Sequence, residues 1–514
     1  MALVQLFADQ ASLDALHVDV ASSTDFELFM DTAFALDLSA MTFDNWSCRN
    51  DITIVGDGDG EHIIAGNVAT RIEGNGGDDT LTGGTSSDTL LGGDGNDVLT
   101  GGAGFDSVDS GAHDDIVTLT AGNENSDAML DGGADTDILA IAANGAHTTY
   151  DLRSVTIANF ETLYAGTAIT QVQLYADQLE FDTFRVDGAS GTAFQVFMST
   201  FATLDMSSLG FENWSATNGF TIAGDWDAEN IMAGNVATRM EGHGGNDTLT
   251  GGNGADTLIG GDGDDDMNGG AGIDTVLFEG ANNVDARLGH MYATSTAFGT
   301  DTLGDIENAQ TGSGNDTVIG SGIENLLVAG DGNDRLSGWG GDDTLLGGLG
   351  QDTLIGGVGD DNLDGGDGID EVFFTGSSDV NVQLGTGLAM SVVFGNDTLT
   401  DIENARTRGG NDTLTGSTDN NVLQAGAGDD FLSGWGGADF LLGERGNDTL
   451  MGGGGSDTLA GGTGADSLIG GTGRDAFVFH AGGGADTVAD FANDVDRLRL
   501  DQDLWGAGCR LPTC

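Results

Sequence analysis

Lysine is absent from this chain of 514 residues. All 14 basic residues are Arg, against 84 Asp and Glu, which leaves a formal charge of −70 at neutral pH. Such a chain has too few cations to hold nucleic-acid phosphates or an anionic membrane surface, so no nucleic-acid partner is expected. Cysteine occurs only as Cys48, Cys509 and Cys514. That excludes a disulfide framework and leaves CRLPTC as the one short segment able to close a bridge. Proline occurs once, at Pro512, and aromatic residues make up 7%. None of the seven histidines forms HExxH, and no G-x-S-x-G is present, so neither a zinc-protease nor a serine-nucleophile motif is found. No run of about 20 apolar residues exists, so no transmembrane helix is expected. MALVQLFADQ has neither a basic n-region nor a long apolar h-region, so no Sec-type signal is expected there.

Few aromatics and high net charge are the signature of disorder, and self-repulsion at −70 opposes any compact state. Against that stand 90 glycines and regularly spaced Leu, Ile and Val. The glycines show no G-X-Y period, which excludes collagen. The pattern fits a chain ordered conditionally, by a ligand.

The stretch GGDGNDVLTGGAGFD (92–106) shows the unit. A glycine turn is followed by Asp97, an oxygen ligand or cap, then by Leu99, which needs burial, and nine residues on the pattern repeats. Array one starts at Gly74 and places Asp79, Asp88, Asp97, Asp106 and Asp115 at the sixth position, with Leu81, Leu90, Leu99, Val108 and Val117 at the eighth. Array two starts at Gly242 and places Asp247, Asp256, Asp265 and Asp274. Array three, Thr311 to Phe373, places Asp316, Asp334, Asp343, Asp352, Asp361 and Asp370, with Asn325 in its second unit. Array four, Thr407 to Val478, places Asp412, Asp430, Asp439, Asp448, Asp457, Asp466 and Asp475, with Asn421 in its second unit.

Two longer duplications lie over these arrays. VQLFADQ, LSAMTFDNWS and AGNVATRIEG return as VQLYADQ, MSSLGFENWS and AGNVATRMEG at an offset of 168. FGTDTLGDIENAQT and LSGWGGDD return as FGNDTLTDIENART and LSGWGGAD at an offset of 96. The expected organisation is module A at 1–118, a connector at 119–171, module A′ at 172–280, module B at 281–376, module B′ at 377–478 and a C-terminal cap at 479–514. Between the arrays, apolar pairs near Leu36/Leu38, Trp46, Ile52/Ile54, Ile63/Ile64, Ile72 and Leu81 predict one strand per nine or ten residues. Residues 150–166 predict two strands with Phe160 and Leu163 inward, and a short helical turn is expected near Asp177–Leu179.

Two nonads make one coil of strand, turn, strand, turn, so the fold class expected is all-β, a parallel β-roll or β-solenoid. Coils stack about 4.8 Å apart, which stacks the turns of one edge at the same spacing. Calcium takes six to eight oxygens at about 2.3–2.6 Å, and a cation between stacked turns could gather Asp carboxylates and glycine carbonyls. Zinc is disfavoured because His and Cys are scarce and unaligned. Magnesium is disfavoured by its strict octahedral demand and reluctant dehydration. The bland alternative for each sixth-position Asp is a turn cap without metal. Asn325 and Asn421 keep a neutral oxygen as ligand or cap.

On these nonads the chain resembles the RTX (repeats-in-toxin) proteins, glycine-rich calcium-binding β-rolls exported from Gram-negative bacteria by type I secretion. The resemblance implies several calcium ions bound by the sixth-position Asp residues, a chain unfolded in the calcium-poor cytoplasm and folded outside the cell, and the type I export machinery as partner. Residues 470–502 look like the last nonad and cap that precede an uncleaved export signal. GAGCRLPTC departs from the short aliphatic or acidic ending commoner in such signals.

No non-repeat segment has the size of a catalytic domain. The function expected is therefore a non-enzymatic, secreted structural or adhesive solenoid at the cell surface, with self-association into filaments or layers. The alternative is an RTX enzyme or accessory module with an unrecognised catalytic, glycan- or ice-binding site. Trp46, Trp214, Trp339 and Trp435 recur with the modules and are expected to pack in the core or at coil edges rather than as sugar platforms. Arg71 and Arg239 are expected to pair with neighbouring acids.

Overall fold

The computed structural model describes residues 2–7, 17–19, 24–30, 35–44, 52–120, 129–142, 148–178, 184–198, 202–215 and 217–500. Two compact units are present, Met1–Thr257 and Leu258–Cys514. Strands dominate both. The helical elements described are three short 3-10 turns, Ala176–Gln178, Leu288–His290 and Leu384–Thr386, the first at the turn expected near Asp177. Among the described residues no helix is long and apolar enough to cross a membrane.

Alternate nonads feed alternate sheets. In the first unit Thr70–Gly76, Thr89–Asp94 and Ser107–Ala112 are parallel neighbours in one sheet, while Thr80–Gly84, Val98–Gly102 and Ile116–Leu119 are parallel neighbours in another. The register advances by two nonads per coil: Leu90 pairs with Val108, and Leu99 with Val117. The second unit repeats this, with Leu345 opposite Leu363 and Leu336 opposite Leu354. Because side chains alternate along a strand, the eighth residue of each nonad points inward and its flanking residues are mostly less buried, with exceptions such as Ile259, Ile355 and Ala460. Leu81, Leu90, Leu99, Leu345, Leu354 and Leu363 are all 0% exposed. The solenoid with two nonads per coil is therefore present as expected.

Outside the arrays the strands persist and the coils lengthen. Phe26 pairs with Ile52, Val108 with Leu130 and Leu130 with Ile157, so turns there carry extra residues that no nonad pattern anticipates. Ile52, Ile54, Ile63, Ile72, Leu36 and Leu38 are buried as the apolar pairs imply; Trp46 lies outside the described residues. Between 149 and 165 three strands form rather than two, Thr149–Asp151, Thr156–Ala158 and Thr162–Ala165, with Phe160 and Leu163 buried.

A second departure lies in the 96-residue duplication. Val284–Arg287, Tyr292–Ser295 and Gly299–Gly304 form an antiparallel meander, and it is inserted into a parallel sheet. Its last strand pairs with Asp266–Gly270 and its first with Thr317–Ile319. Val380–Gln383, Leu388–Ser391 and Gly395–Thr400 repeat the meander one module later. The reversals fall at Met291 and Gly387, both left-handed with φ of 61° and 69°.

The thin core makes a direct prediction. Leu354→Ala empties one rung of the inward leucine ladder and should cost about 2–5 kcal/mol. Thr353→Ala, on the outward face, should stay within about 0.5 kcal/mol. Denaturant unfolding of the calcium-saturated protein measures both; equal effects would mean that the eighth position does not carry the core.

Candidate metal centres along the turn edges

The sixth-position Asp residues form a ladder along each edge. Asp97 Oδ1 accepts the Asp79 backbone N–H at 2.8 Å, and Asp115 Oδ1 accepts that of Asp97 at 2.7 Å. On the other edge Asp106 Oδ1 accepts from Asp88 N, and Asp88 Oδ1 from Thr70 N. In array three, Asp334, Asp352 and Asp370 each accept from the N–H 18 residues earlier along one edge, at 2.7–2.8 Å. Asp343 and Asp361 do so along the other edge. Asp316 accepts from Val284 N. In array four, Asp412, Asp430, Asp448 and Asp466 follow one edge, and Asp439, Asp457 and Asp475 the other. In array two, Asp247 and Asp256 accept from Glu229 N and Thr238 N, while Asp265 and Asp274 donate their own N–H groups to later carboxylates. Every one of these Asp residues is at most 3% exposed.

One carboxylate oxygen is thus committed to the backbone. In arrays one, three and four the other, Oδ2, is buried with no hydrogen-bond donor. A half-satisfied ionised carboxylate is expensive to bury. Burial, helped by like charges along the edge, pushes Asp97, Asp334, Asp343 and Asp448 up to about 7, and Asp361 and Asp370 up to about 6. Each such carboxyl must take up a proton or meet a cation.

The first-position glycine explains where that oxygen looks. A Cβ on Gly338 would overlap both Asp343 Oδ2 and the Gly356 carbonyl one coil on. Gly347 stands in the same relation to Asp352 and Gly365, Gly434 to Asp439 and Gly452, and Gly443 to Asp448 and Gly461. A side chain here would fill the space beside an orphaned carboxylate oxygen and a peptide carbonyl. Among the described residues no group of three or more His, Cys, Asp or Glu side chains converges as a metal site, so most further ligands would be peptide oxygens. Hard oxygen donors without imidazole or thiolate suit calcium and do not suit zinc.

Asn325 and Asn421 behave differently. Asn325 Oδ1 accepts from Ser321 N at 2.6 Å, and its Nδ2 donates to the Glu307 carbonyl at 2.6 Å. Asn421 repeats this with Ser417 N and the Glu403 carbonyl. The amide satisfies itself locally, so of the two expectations for these positions, ligand or cap, the geometry is that of a cap.

Several carboxylates outside the nonads join the ladders. Asp137 Oδ1 accepts from Asp115 N, and Glu161 Oε2 from Asp137 N. Asp301 and Asp397 take the sixth-position role for Asp265 and Asp361, both at 3.1 Å. Glu307 and Glu403 close the opposite edge at Asp274 and Asp370. Asp301 and Asp397 sit in GTDTL and GNDTL, and the Asp-Thr-Leu they share with the nonads is the signal that could have found them. Glu61 and Glu229 precede arrays one and two, and burial beside Asp79 and Asp247 pushes both up to about 8.

The family model for the RTX calcium-binding nonapeptide repeat (4 copies) matches overlapping windows that together span residues 64–123, 241–276, 310–372 and 407–477. These spans of the chain are RTX calcium-binding nonapeptide repeats. They fall on the four arrays, so calcium-binding repeats and buried Asp ladders coincide along the chain. No curated protein matches the chain.

Other side chains the sequence singled out fall away from the ladders. Arg71 pairs with Glu73 at 2.6 Å and Arg239 with Glu241 at 2.5 Å, as expected. Trp214 packs among Phe194, Phe211 and Phe220. Trp339 and Trp435 do not enter the core: they stand at coil edges, 54% and 61% exposed. Cys48, Cys509, Cys514 and the tail from 501 lie outside the described residues.

Two predictions follow from the ladder. Asp370 holds the Asp352 N–H, so Asp352→Ala and Asp370→Ala should be non-additive in calcium midpoint, coupled by about 0.5–3 kcal/mol. Asp352→Ala with Asp448→Ala, coils apart in the same unit, should add to within about 0.5 kcal/mol. Calcium titration followed by circular dichroism reads both, and equal coupling would sink the shared-edge geometry. The second concerns pH. Carboxyl pKa values raised in the fold mean that the folded chain binds protons more tightly than the unfolded one. That contribution is fully present in acid and is lost as pH rises from about 4 to about 7. In chelator, β structure should therefore be gained near pH 5 and lost by pH 8; β content that rises with pH would contradict the assignment.

Proposed function

We propose that this chain is a secreted, non-catalytic calcium solenoid that folds outside the cell and serves there as structural or adhesive material, in a surface layer, a matrix or an adhesin. The observation that carries this reading is the row of buried, donorless Oδ2 atoms along each edge. Calcium bound there would supply positive charge and accept oxygen ligands. Oδ2 of each sixth-position Asp and the first-position glycine carbonyl of the next coil would hold it, while Oδ1 keeps the turn tied to the preceding coil. The charge of −70 favours an expanded chain wherever calcium is scarce, which suits export through a type I channel before folding. The repeat arrays leave no segment with the size of a catalytic domain, which supports the non-enzymatic reading.

Two measurements test this. In chelator at pH 8 the chain should be expanded and weakly structured, and millimolar calcium should bring β-rich circular dichroism; a β signal unmoved by chelation would exclude calcium-driven folding. Deleting residues 470–514 should retain the chain inside the producing cell, and normal export of that truncation would place the signal elsewhere. Electron microscopy of the calcium-loaded protein then separates filaments or sheets, as expected for a building material, from monodisperse rods, which would count against it.

A further inference from the structure

Trp339 and Trp435 occupy the second position of a nonad, where their stacked neighbours one coil on are Gly357 and Gly453. Both backbones are left-handed there, with φ of 78° and 70°. A bulky residue in that region is uncommon and strained, and at more than half exposed these indoles gain little burial in return. Each ring lies against the 3-10 turn of the neighbouring meander. A Cβ on Gly289 would strike Trp339, and one on Gly385 would touch Trp435.

The two copies differ in what meets the ring. In the first, His290 stacks on Trp339, with centroids 5.8 Å apart and planes 15° from parallel. In the second, Thr386 stands at the equivalent position, and among the described residues no ring stacks on Trp435. A groove of about 340 Å³ opens there, with Leu384, Leu399, Asp401, Glu403, Asp419 and Trp435 among its lining. Asp401 and Glu403 have counterparts in Asp305 and Glu307. Asp419 does not: the first copy has Ile323 at that position. Relative to its duplicate, the second copy has therefore lost the imidazole over the indole, and the acidic residue of the segment has moved one position, from Glu324 to Asp419, which lines the groove.

Both changes suit the same ligand chemistry. An indole face attracts cations, most strongly when they are weakly hydrated, and the carboxylates around it add charge complementarity. We propose that the Trp435 groove binds an organic cation, a quaternary ammonium or guanidinium group of a partner molecule, in the place that His290 fills within the first copy. Calcium, hydrated and seeking oxygen ligands, is not the ligand for an aromatic face, although the groove shares Glu403 with the ladder edge at Asp370.

Saturation-transfer NMR on the full chain, in saturating calcium, tests it with tetramethylammonium as the probe and neopentyl alcohol as the neutral isostere. The methyl signal of tetramethylammonium should be strong and that of neopentyl alcohol at least five-fold weaker. Trp435→Gly restores the glycine that the left-handed backbone favours and should keep the calcium midpoint and circular dichroism while reducing the signal at least five-fold. Thr386→His should rebuild the stack of the first copy and block the probe to a similar degree; Trp339→Gly should leave the signal intact. Comparable signals from the neutral isostere would overturn the proposal, as would a signal that survives in a well-folded Trp435→Gly. A methyl glucoside saturated in place of the cation would overturn it too, in favour of a sugar platform.

Discussion

Everything in this solenoid hangs on one hydrogen bond, repeated coil after coil: a buried Asp Oδ1 accepting the backbone N–H of the residue one coil earlier. It ties each turn to the preceding one and fixes the register of the strands that follow. It also aims the second oxygen into a space with no donor. The nonad's small core follows from this. With one inward aliphatic residue per nine, apolar burial alone is a weak driving force, and the polar edges must be satisfied before the coils can stack.

The same bond explains why the first turn residue is glycine. The orphaned oxygen and the carbonyl of the next coil crowd the place where a side chain would begin. Like charges stacked at the coil spacing raise the cost further, and local ion pairs such as Arg71–Glu73 and Arg406–Glu371 sit on the strands rather than in the turns. Cations or protons at the edges are the remaining means of neutralisation. With calcium held there as proposed, proton and calcium would compete for one set of oxygens, which would link calcium affinity, pH and foldedness.

Array ends show how the ladder is closed where nonads run out. A longer loop brings in a carboxylate from outside the repeat: Glu161 after Asp137, Glu307 after Asp274, Glu403 after Asp370. The antiparallel meanders serve the same purpose. They return the chain to the sheet so that Asp301 and Asp397 can occupy the sixth-position role after an excursion that also builds the turn against Trp339 and Trp435.

Periodicity made the nonad arrays fully legible. A nine-residue repeat with glycine, Asp and Leu at constant phase admits little except a coil of two strands, and the inward positions, the edge residues and the 18-residue pairing of Asp352 with Asp370 all follow from counting. Sequence composition likewise leaves oxygen as the donor atom these turns can offer a cation. Counting could not supply the division of labour within each carboxylate, because which oxygen meets the backbone depends on how far one coil is offset from the next. The capping geometry of Asn325, the recruitment of Glu307 and Glu403, and the meanders were invisible for a related reason: they join residues 18 to 36 apart through loops with no period. The unstacked face of Trp435 follows from Thr386 standing where the first copy has His290, and that difference matters only once the meander has folded back.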